Sequence, residues 1–409
     1  MNPYKNVYIL GTGFSNAIAG FPVMKDFFDK MKDCCYELSR HDPSIDEILQ
    51  EFLCISEVLD YRQKLAPAAE KMNLDLDNIE DLLCLIDALP PERQTEKIKL
   101  GALSTAIAAT IRYSWISRCH EWMTGQYLRS LTFAEKRLDE NWEPGIGFKI
   151  IHPQCISLSP ELIDVFISGE KNILSDNKFQ SIGIKVSETK RDTSVILEVR
   201  LPEGMQRIYC MVASPKGLPI ENVFITFNYD EVLEYFLRLM GYPIDYKVGL
   251  LKPFGLAQSP TPEPIPVLKL HGSVNWYLKK VKKEDKIKIA DSYDDIRGNE
   301  EKIPYLLPPT WKKNDAKINR IWATAIRHIS EASRIFIIGY SIPQTDLHFK
   351  YLLAAGLAGN IGLKEIVFIN PDKEMGARWD WLFGDESRPI RKRIKRVDSL
   401  PQAPSFYGR

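Results

Sequence analysis

The sequence predicts an α/β protein built on a mostly parallel sheet with helices on both faces, and three observations predict it. Apolar, β-branched runs of strand length occur at Asn6–Leu10, Asn222–Phe227, Pro266–Leu270, Arg334–Ile338 and Glu365–Ile369. Their apolarity is continuous rather than alternating, which is how strands buried on both faces of a parallel sheet read. Loops or helix patterns follow them, and the first runs into Gly11-Thr12-Gly13, the strand, glycine turn and helix of a doubly wound core.

Taken in chain order, the first strand and its helix, which Asn16-Ala17-Ile18-Ala19 can begin, fill about thirty residues before the core is interrupted. Helix signals then dominate from Pro22 to about Glu140. Ser44-Ile45-Asp46-Glu47 reads as a capping box ahead of Ile48, Leu49, Phe52, Leu53, Val58 and Leu59 at helix-face spacing. Asp77-Asn78-Ile79-Glu80 opens a second helix that Pro90-Pro91 ends, and a third, from about Thr95 to Leu131, carries Ile98, Leu103, Ile107, Ile111 and Trp115. From Gly147 to Ala213 the period changes to two, which predicts short strands at Ser194–Leu201 and Arg207–Ala213 about the turn Pro202-Glu203-Gly204. The other core strands begin only after Pro219. Lys252–Pro266, with five prolines, reads as a loop, Lys279–Glu301 as a charged, solvated excursion, and Arg388–Arg396 (RPIRKRIKR) as part of a basic tail. The expected organisation is a discontinuous core of residues 1–29 and 220–387, a helical insertion 30–146, a small β-rich appendage 147–219 and a basic C-terminal tail 388–409.

Composition bounds the function. Lys+Arg and Asp+Glu are both 54, so net charge gives no general attraction to nucleic acid or to an anionic membrane, and direct nucleic-acid binding is not expected. A hydrophobic fraction of 44% excludes a disordered or low-complexity chain. Cys34, Cys35, Cys54, Cys84, Cys119, Cys155 and Cys210 include no C-x-x-C pair and read as reduced thiols. The apolar run in MNPYKNVYILGTG is too short for a secretion signal or a membrane span, so a cytoplasmic protein is expected.

Five segments can carry chemistry. In Gly11-Thr12-Gly13-Phe14-Ser15 the glycines let backbone approach phosphate, and the following helix offers N–H groups to its charge. The match to G-x-G-x-x-G is partial, since Asn16 replaces the third glycine and no acidic strand end follows at the spacing a dehydrogenase needs. In Thr226-Phe227-Asn228-Tyr229-Asp230 a buried strand delivers an amide and a carboxylate to the crevice beyond the strand ends, where they can hold a ribose and a carboxamide or simply cap a helix. Leu270-His271-Gly272-Ser273 places at another strand end the best of six histidines for general-base work, or a hydrogen-bonded structural one. Gly339-Tyr340-Ser341 repeats the first turn, Thr345 or Asp346 can cap the helix that carries His348, and Ile369-Asn370-Pro371 ends the fifth strand.

In order and spacing, GTGFS, TFNYD, LHGS, GYS and FIN resemble the five signature segments of the sirtuin superfamily, whose core is a Rossmann-like NAD-binding fold. PYLLPPTWKK and IGYSIPQTDLHF look most like the bacterial sirtuin-like branch found in antiphage defence, while residues 30–219 match nothing in it. The resemblance implies that Gly11, Gly13, Phe14 and Ser15 hold the NAD phosphates and adjoining ribose. It places Asn228 and Asp230 at the nicotinamide ribose and carboxamide, His271 as the base on a ribose hydroxyl, and Ser341 and Asn370 on the phosphate and adenosine side, with Thr226, Gly339 and Asp346 also among the cofactor-binding residues.

Departures from the pattern sharpen the expectation. The four-cysteine zinc module and the peptide-pairing strand of deacylase sirtuins have no counterpart, so no zinc is expected. Their G-I-P-D-F-R loop is matched only by Gly20-Phe21-Pro22-Val23-Met24-Lys25, and Phe227 stands where deacylases have glutamine. Water is then the expected acceptor of the ribosyl group, and the expected activity is NAD hydrolysis to nicotinamide and ADP-ribose by a defence effector. Homo-oligomerisation or a partner such as a HerA-type ATPase or an Argonaute-like protein would restrain or activate it. The alternatives are a deacylase or ADP-ribosyltransferase and a non-catalytic sensor of NAD or a derivative.

Overall fold

The computed structural model describes residues 4–41, 45–71, 75–88, 100–121, 131–133, 182–184, 203–212, 220–253, 263–281, 284–307, 316–342, 347–373, 375–401 and 404–407. Ser44, the stretch before Leu100 of the third expected helix, the expected strand Ser194–Leu201, most of the proline-rich loop, the end of PYLLPPTWKK, and Thr345 and Asp346 lie outside them.

Strands in chain order are β1 Tyr4–Leu10, β2 Leu131–Phe133, β3 Ile182–Ile184, β4 Ile220–Thr226, β5 Ile244–Asp245, β6 Leu250–Leu251, β7 Ile265–Lys269, β8 Gly272–Val281, β9 Glu284–Ile289, β10 Pro304–Leu306, β11 Arg334–Ile338, β12 Glu365–Ile369 and β13 Ile394–Val397. Eight of them form one sheet in the order β13-β12-β11-β1-β4-β7-β5-β6, parallel throughout except at β5 and β6. All five strands read from continuous apolarity are in it, each within one residue of its expected limits except at the start of β1 and β4. β1 is central, and the aromatic side chains in register across it make the reason visible. Tyr8 pairs with Phe224 and Phe336, and its ring stacks between theirs at centroid distances of 4.8 and 5.0 Å.

That face is covered by helix Glu203–Val212 and the short helix Pro404–Tyr407. Tyr8 Oη donates to the Met211 carbonyl (2.8 Å) and Asn6 Nδ2 to the Tyr407 carbonyl (2.8 Å). The expected strand Arg207–Ala213 is therefore a helix through Val212. Ile208, Cys210 and Val212 alternate, but Ile208, Met211 and Val212 also share a helix face, and all four are buried in the core, so packing against the sheet decides between the two periods.

Two further expectations give way. Within Lys279–Glu301, β8 and β9 form an antiparallel hairpin, and β10 adds to it as a three-stranded sheet. The charges lie on its outer side, while Tyr293 and Ile296 beyond it are buried. The basic run folds as a 3-10 turn, Pro389–Arg393, and the edge strand β13. Its charge is matched locally by Arg391–Asp380 (3.1 Å), Lys395–Glu365 (2.6 Å) and Arg396–Asp398 (2.7 Å). A basic edge strand also resists pairing with another sheet.

A second apolar cluster joins helices Phe27–Ser39, Asp46–Lys64, Ile79–Ala88 and Leu100–Glu121 to Val274 and Leu306 of the small sheet and to Tyr293 and Ile296 in the segment after β9. Asp46–Lys64 has Ile45 at its N-cap with no side-chain cap, whereas Asn78 Oδ1 accepts from the Glu80 N–H (2.9 Å) at the next helix start. The seam is tied by Arg297, whose Nη2 meets Glu51 at 2.6 Å, with the Glu51 side chain 2% exposed. Removing one member of such a pair strands a buried charge, at a cost of about 3–5 kcal/mol. Arg297→Met should lower unfolding stability by that order in urea titration, and Arg297→Met/Glu51→Leu should recover most of the loss.

Candidate active site

The register of the sheet aligns its carboxyl ends. Leu10 pairs with Thr226 and Ile338, Thr226 with Lys269, and Ile338 with Ile369. The residues just beyond, Gly11, Asn228, His271, Gly339 and Asn370, therefore emerge along one edge, where open α/β sheets bind ligands.

At the centre the two glycine turns touch. Helix Thr12–Ala19 starts four residues earlier than the pattern suggested, with Gly11 at its N-cap. Gly11 N–H donates to the Ile338 carbonyl (3.0 Å), and Gly13 N–H to the Gly339 carbonyl (2.9 Å). A Cβ on Gly13 would lie 2.8 Å from Gly339 O, and one on Gly339, whose φ is +61°, would lie 2.1 Å from Phe14 N. The glycines thus serve the approach of one turn to the other, and these two N–H groups are spent on it. Phe14, expected at the cofactor, is instead 1% exposed in the main core, because it lies on the sheet-facing side of the helix with Ile18.

Asn228 is fixed by this arrangement. Its Nδ2 donates to the Gly11 carbonyl (2.9 Å) and to Ser15 Oγ (2.9 Å), and its N–H donates to Thr226 Oγ1 (3.0 Å). A carbonyl can only accept, so the amide orientation follows, and Asn228 Oδ1 is left buried with no partner among the described residues. An unpaired buried acceptor costs about 1–3 kcal/mol, which a ligand donor can recover. Asp230 Oδ1 accepts from the Val232 N–H (3.0 Å). Burial pushes its carboxyl up, against the opposing pull of Lys269, the Val232 N–H and the Ser15 hydroxyl.

His271 is 2% exposed. Its ring stands edge-on to Phe227 (centroids 5.2 Å) and 6.2 Å from Tyr229, with Tyr340 stacked on the same Phe227 at 5.2 Å. Asn370 uses both ends of its amide, donating to the Tyr340 carbonyl (3.1 Å) and accepting from the Asp372 N–H (2.9 Å), so its side chain holds the second turn in place. Ser341 is exposed, and its carbonyl takes a bond from Arg378 Nη1 (2.8 Å). Gly11, Ser15, Thr226, Asn228, Asp230 and His271 thus lie at one end of the sheet, with Gly339 and Asn370 on the adjoining turns; Ser15, Asn228 and Asp230 line one cavity there, and His271 is not among its lining residues.

Sequence reasoning missed what closes this edge. A cavity of about 60 Å³ beside Ser15, Asn228 and Asp230 is walled by Phe21, Met24, Ile107 and Ile111, so the helical layer roofs it. That is room for a few waters. These apolar residues carry no signal beyond helix periodicity. Lys269 was readable as a lone charge in an apolar strand. Its Nζ donates to the Asp230 carbonyl and to Glu234 Oε1 (2.9 Å), and Tyr246 Oη also reaches Glu234 (3.3 Å), which stiffens the Asn228–Asp230 loop from behind. Among the described residues no group of three or more His, Cys, Asp or Glu is arranged to hold a metal ion, and no helix is long and apolar enough to cross a membrane.

Residues 222–380 match the family model of the SIR2-like domain, which contains the Asn228, His271, Gly339 and Asn370 segments. Among solved structures the chain is similar to a Sir2 homologue variant complexed with ADP-ribose, at 13% identity and a TM-score of 0.28, covering 49% of this chain and 63% of that one. It is also similar to Sir2Tm bound to a propionylated peptide (14%, TM-score 0.27, 50% and 67%) and to a Sir2 homologue in complex with NAD (13%, TM-score 0.27, 50% and 60%). The chain thus spans less than two thirds of the first of these. No curated protein matches it.

The turn-to-turn contact makes a specific demand on residue 339. Gly339→Ala should destabilise the fold by more than about 1 kcal/mol, from the left-handed backbone together with the clash at Phe14 N. Gly359→Ala, which meets only Ser330 Cβ at 4.0 Å, should be near neutral in the same denaturant titration.

Proposed function

We propose that the chain hydrolyses NAD at the bond between nicotinamide and ribose, with water as acceptor, to give nicotinamide, ADP-ribose and a proton. The observation that carries this reading is the buried Asn228 Oδ1, left without a partner by an amide whose nitrogen is committed to Gly11 and Ser15. It offers a fixed acceptor to a ribose hydroxyl or a carboxamide N–H. The SIR2-like match over residues 222–380 supports the substrate class.

In this reading the glycosidic bond breaks through an oxocarbenium-like transition state, and the electron pair leaves with nicotinamide. Asn228 and Asp230 orient the ribose and carboxamide, and His271 takes the proton of a ribose hydroxyl. The apolar ring of Phe227 beside His271 helps keep bulk water from the developing charge. Ser341 and Asn370 would take the phosphate and adenosine side.

The closed cavity bears on regulation. The layer carrying Ile107 and Ile111 lies over Asn228 and leaves about 60 Å³ beside it, so in this reading its position controls access to the amide. That supports an effector held silent until oligomerisation or a partner such as a HerA-type ATPase rearranges the layer, in keeping with a role in antiphage defence.

Chromatography of NAD incubated with the purified chain, alone and with candidate partners, checks the proposal. Nicotinamide and ADP-ribose should appear in equal amounts without any acyl peptide, and Asn228→Ala and His271→Ala should each lower the rate by about 10²-fold or more. Release that needs an acyl peptide would point to transfer in place of hydrolysis. Unchanged rates in both variants would remove the proposed site.

A further inference from the structure

A second cavity, of about 210 Å³, lies on the far side of the Asp230–Glu231 turn, between helix Leu100–Glu121, helix Val232–Leu239 and the segment after β9. Its charged lining can be balanced group by group. Arg112 Nε pairs with Asp294, Arg238 Nη2 meets Asp291 at 3.2 Å, and Glu234 meets Lys269 at 2.9 Å. Glu231 is left over. Its one hydrogen bond comes from the Tyr293 N–H (3.2 Å), and among the described residues no cation lies within ion-pair distance of it. The four lining carboxylates thus have three cationic partners between them, Arg112 and Arg238 in the lining and Lys269 behind Glu234.

The remaining walls are aromatic. Trp115 and Tyr235 stand at 68° with centroids 4.8 Å apart, and the Phe21 ring lies 5.9 Å from that of Trp115. All three line the cavity with Glu231. Aromatic faces at an angle, closed by one uncompensated carboxylate, make a box for an organic cation. A metal ion would want several oxygen ligands, and an anion would meet an excess of negative charge.

We propose that this cavity is a binding site for a small organic monocation of the alkylammonium or quaternary ammonium class, with Glu231 as counter-charge and Trp115 and Tyr235 as the cation–π walls. The assignment is independent of the reaction proposed above. Asp291 and Asp294, whose side chains are 74% and 57% exposed, stand at the mouth, where they favour entry of positive charge.

The state of Glu231 agrees with this geometry. Burial pushes its carboxyl up to about 8, and the nearby Glu234 adds to that, against the opposing pulls of Lys269, the Tyr293 N–H and Arg238. The other charges around it are Arg112, Asp291 and Asp294 on the facing elements. A cation binds the ionised form, so affinity should rise as pH rises through about 8 and fall below it.

Calorimetric titration of the full chain with choline, and with its neutral isostere 3,3-dimethylbutan-1-ol, tests the site. Choline should bind at pH 9 about tenfold more tightly than at pH 7, and the alcohol should not bind. Glu231→Gln should weaken choline binding at least about tenfold and abolish its pH dependence, and Trp115→Leu should weaken it at both pH values. Thermal unfolding reports whether each variant is folded, and the wild-type comparison of the two probes stands whatever the variants do. No choline binding at pH 9, equal binding of the alcohol, or undiminished binding by folded Glu231→Gln would overturn the assignment.

Discussion

The contact between the turn after β1 and the turn after β11 is the constraint on which the site depends. Parallel pairing of β1 with β11 delivers Gly11-Thr12-Gly13 and Gly339-Tyr340 at the same height. Only residues without Cβ let them come as close as Gly13 N to Gly339 O at 2.9 Å. The Gly11 carbonyl is aimed by its place in that contact, and it orients Asn228, which in turn takes hold of Ser15. A side chain at 11, 13 or 339 would move the anchor of Asn228, not just crowd a loop.

Polar groups at this edge are buried, so each must be held or left costly. Asn370 is satisfied at both ends and acts as a brace for the Tyr340 turn. Lys269 and Glu234, 1% and 2% exposed, are tolerable inside the fold because each neutralises the other, while the Asp230 carbonyl and Tyr246 fill their remaining hydrogen-bonding capacity. Asn228 Oδ1 has no partner among the described residues, and the Glu231 carboxyl has one hydrogen bond and no ion pair there. Incompletely paired groups beside cavities are where ligands are to be sought.

Legibility in the sequence followed burial. The central strands announced themselves because both faces are covered and their apolar runs are unbroken, and the polar residues that follow those runs, Asn228, His271 and Asn370, stand out as candidates for the same reason. Ambiguity set in where one pattern served two structures, as in Ile208-Tyr209-Cys210-Met211-Val212, which fits a strand or a helix until the sheet is there to pack on. Charge misled in the hairpin and in Arg388–Arg396, because charge on an outer face or an edge strand reads as solvated loop. The roof over Asn228 was invisible, since Ile107 and Ile111 have the periodicity of any helix core, and only three-dimensional placement assigns them to a cavity.

That roof also joins the two cavities. Phe21 and Ile111 line both, Ile107 faces the smaller one, and Trp115, one turn beyond Ile111 on the same helix, forms the aromatic wall of the larger. A shift of helix Leu100–Glu121 that uncovers Asn228 therefore also changes the distance from Trp115 to Tyr235 and Glu231. Packed helices move as units, so the helix cannot adjust at one cavity and stay fixed at the other. A ligand in the larger cavity would bias the smaller only by as much as it prefers one arrangement of the helix over another. By linkage, occupancy at Asn228 would then bias the larger cavity with the same free energy.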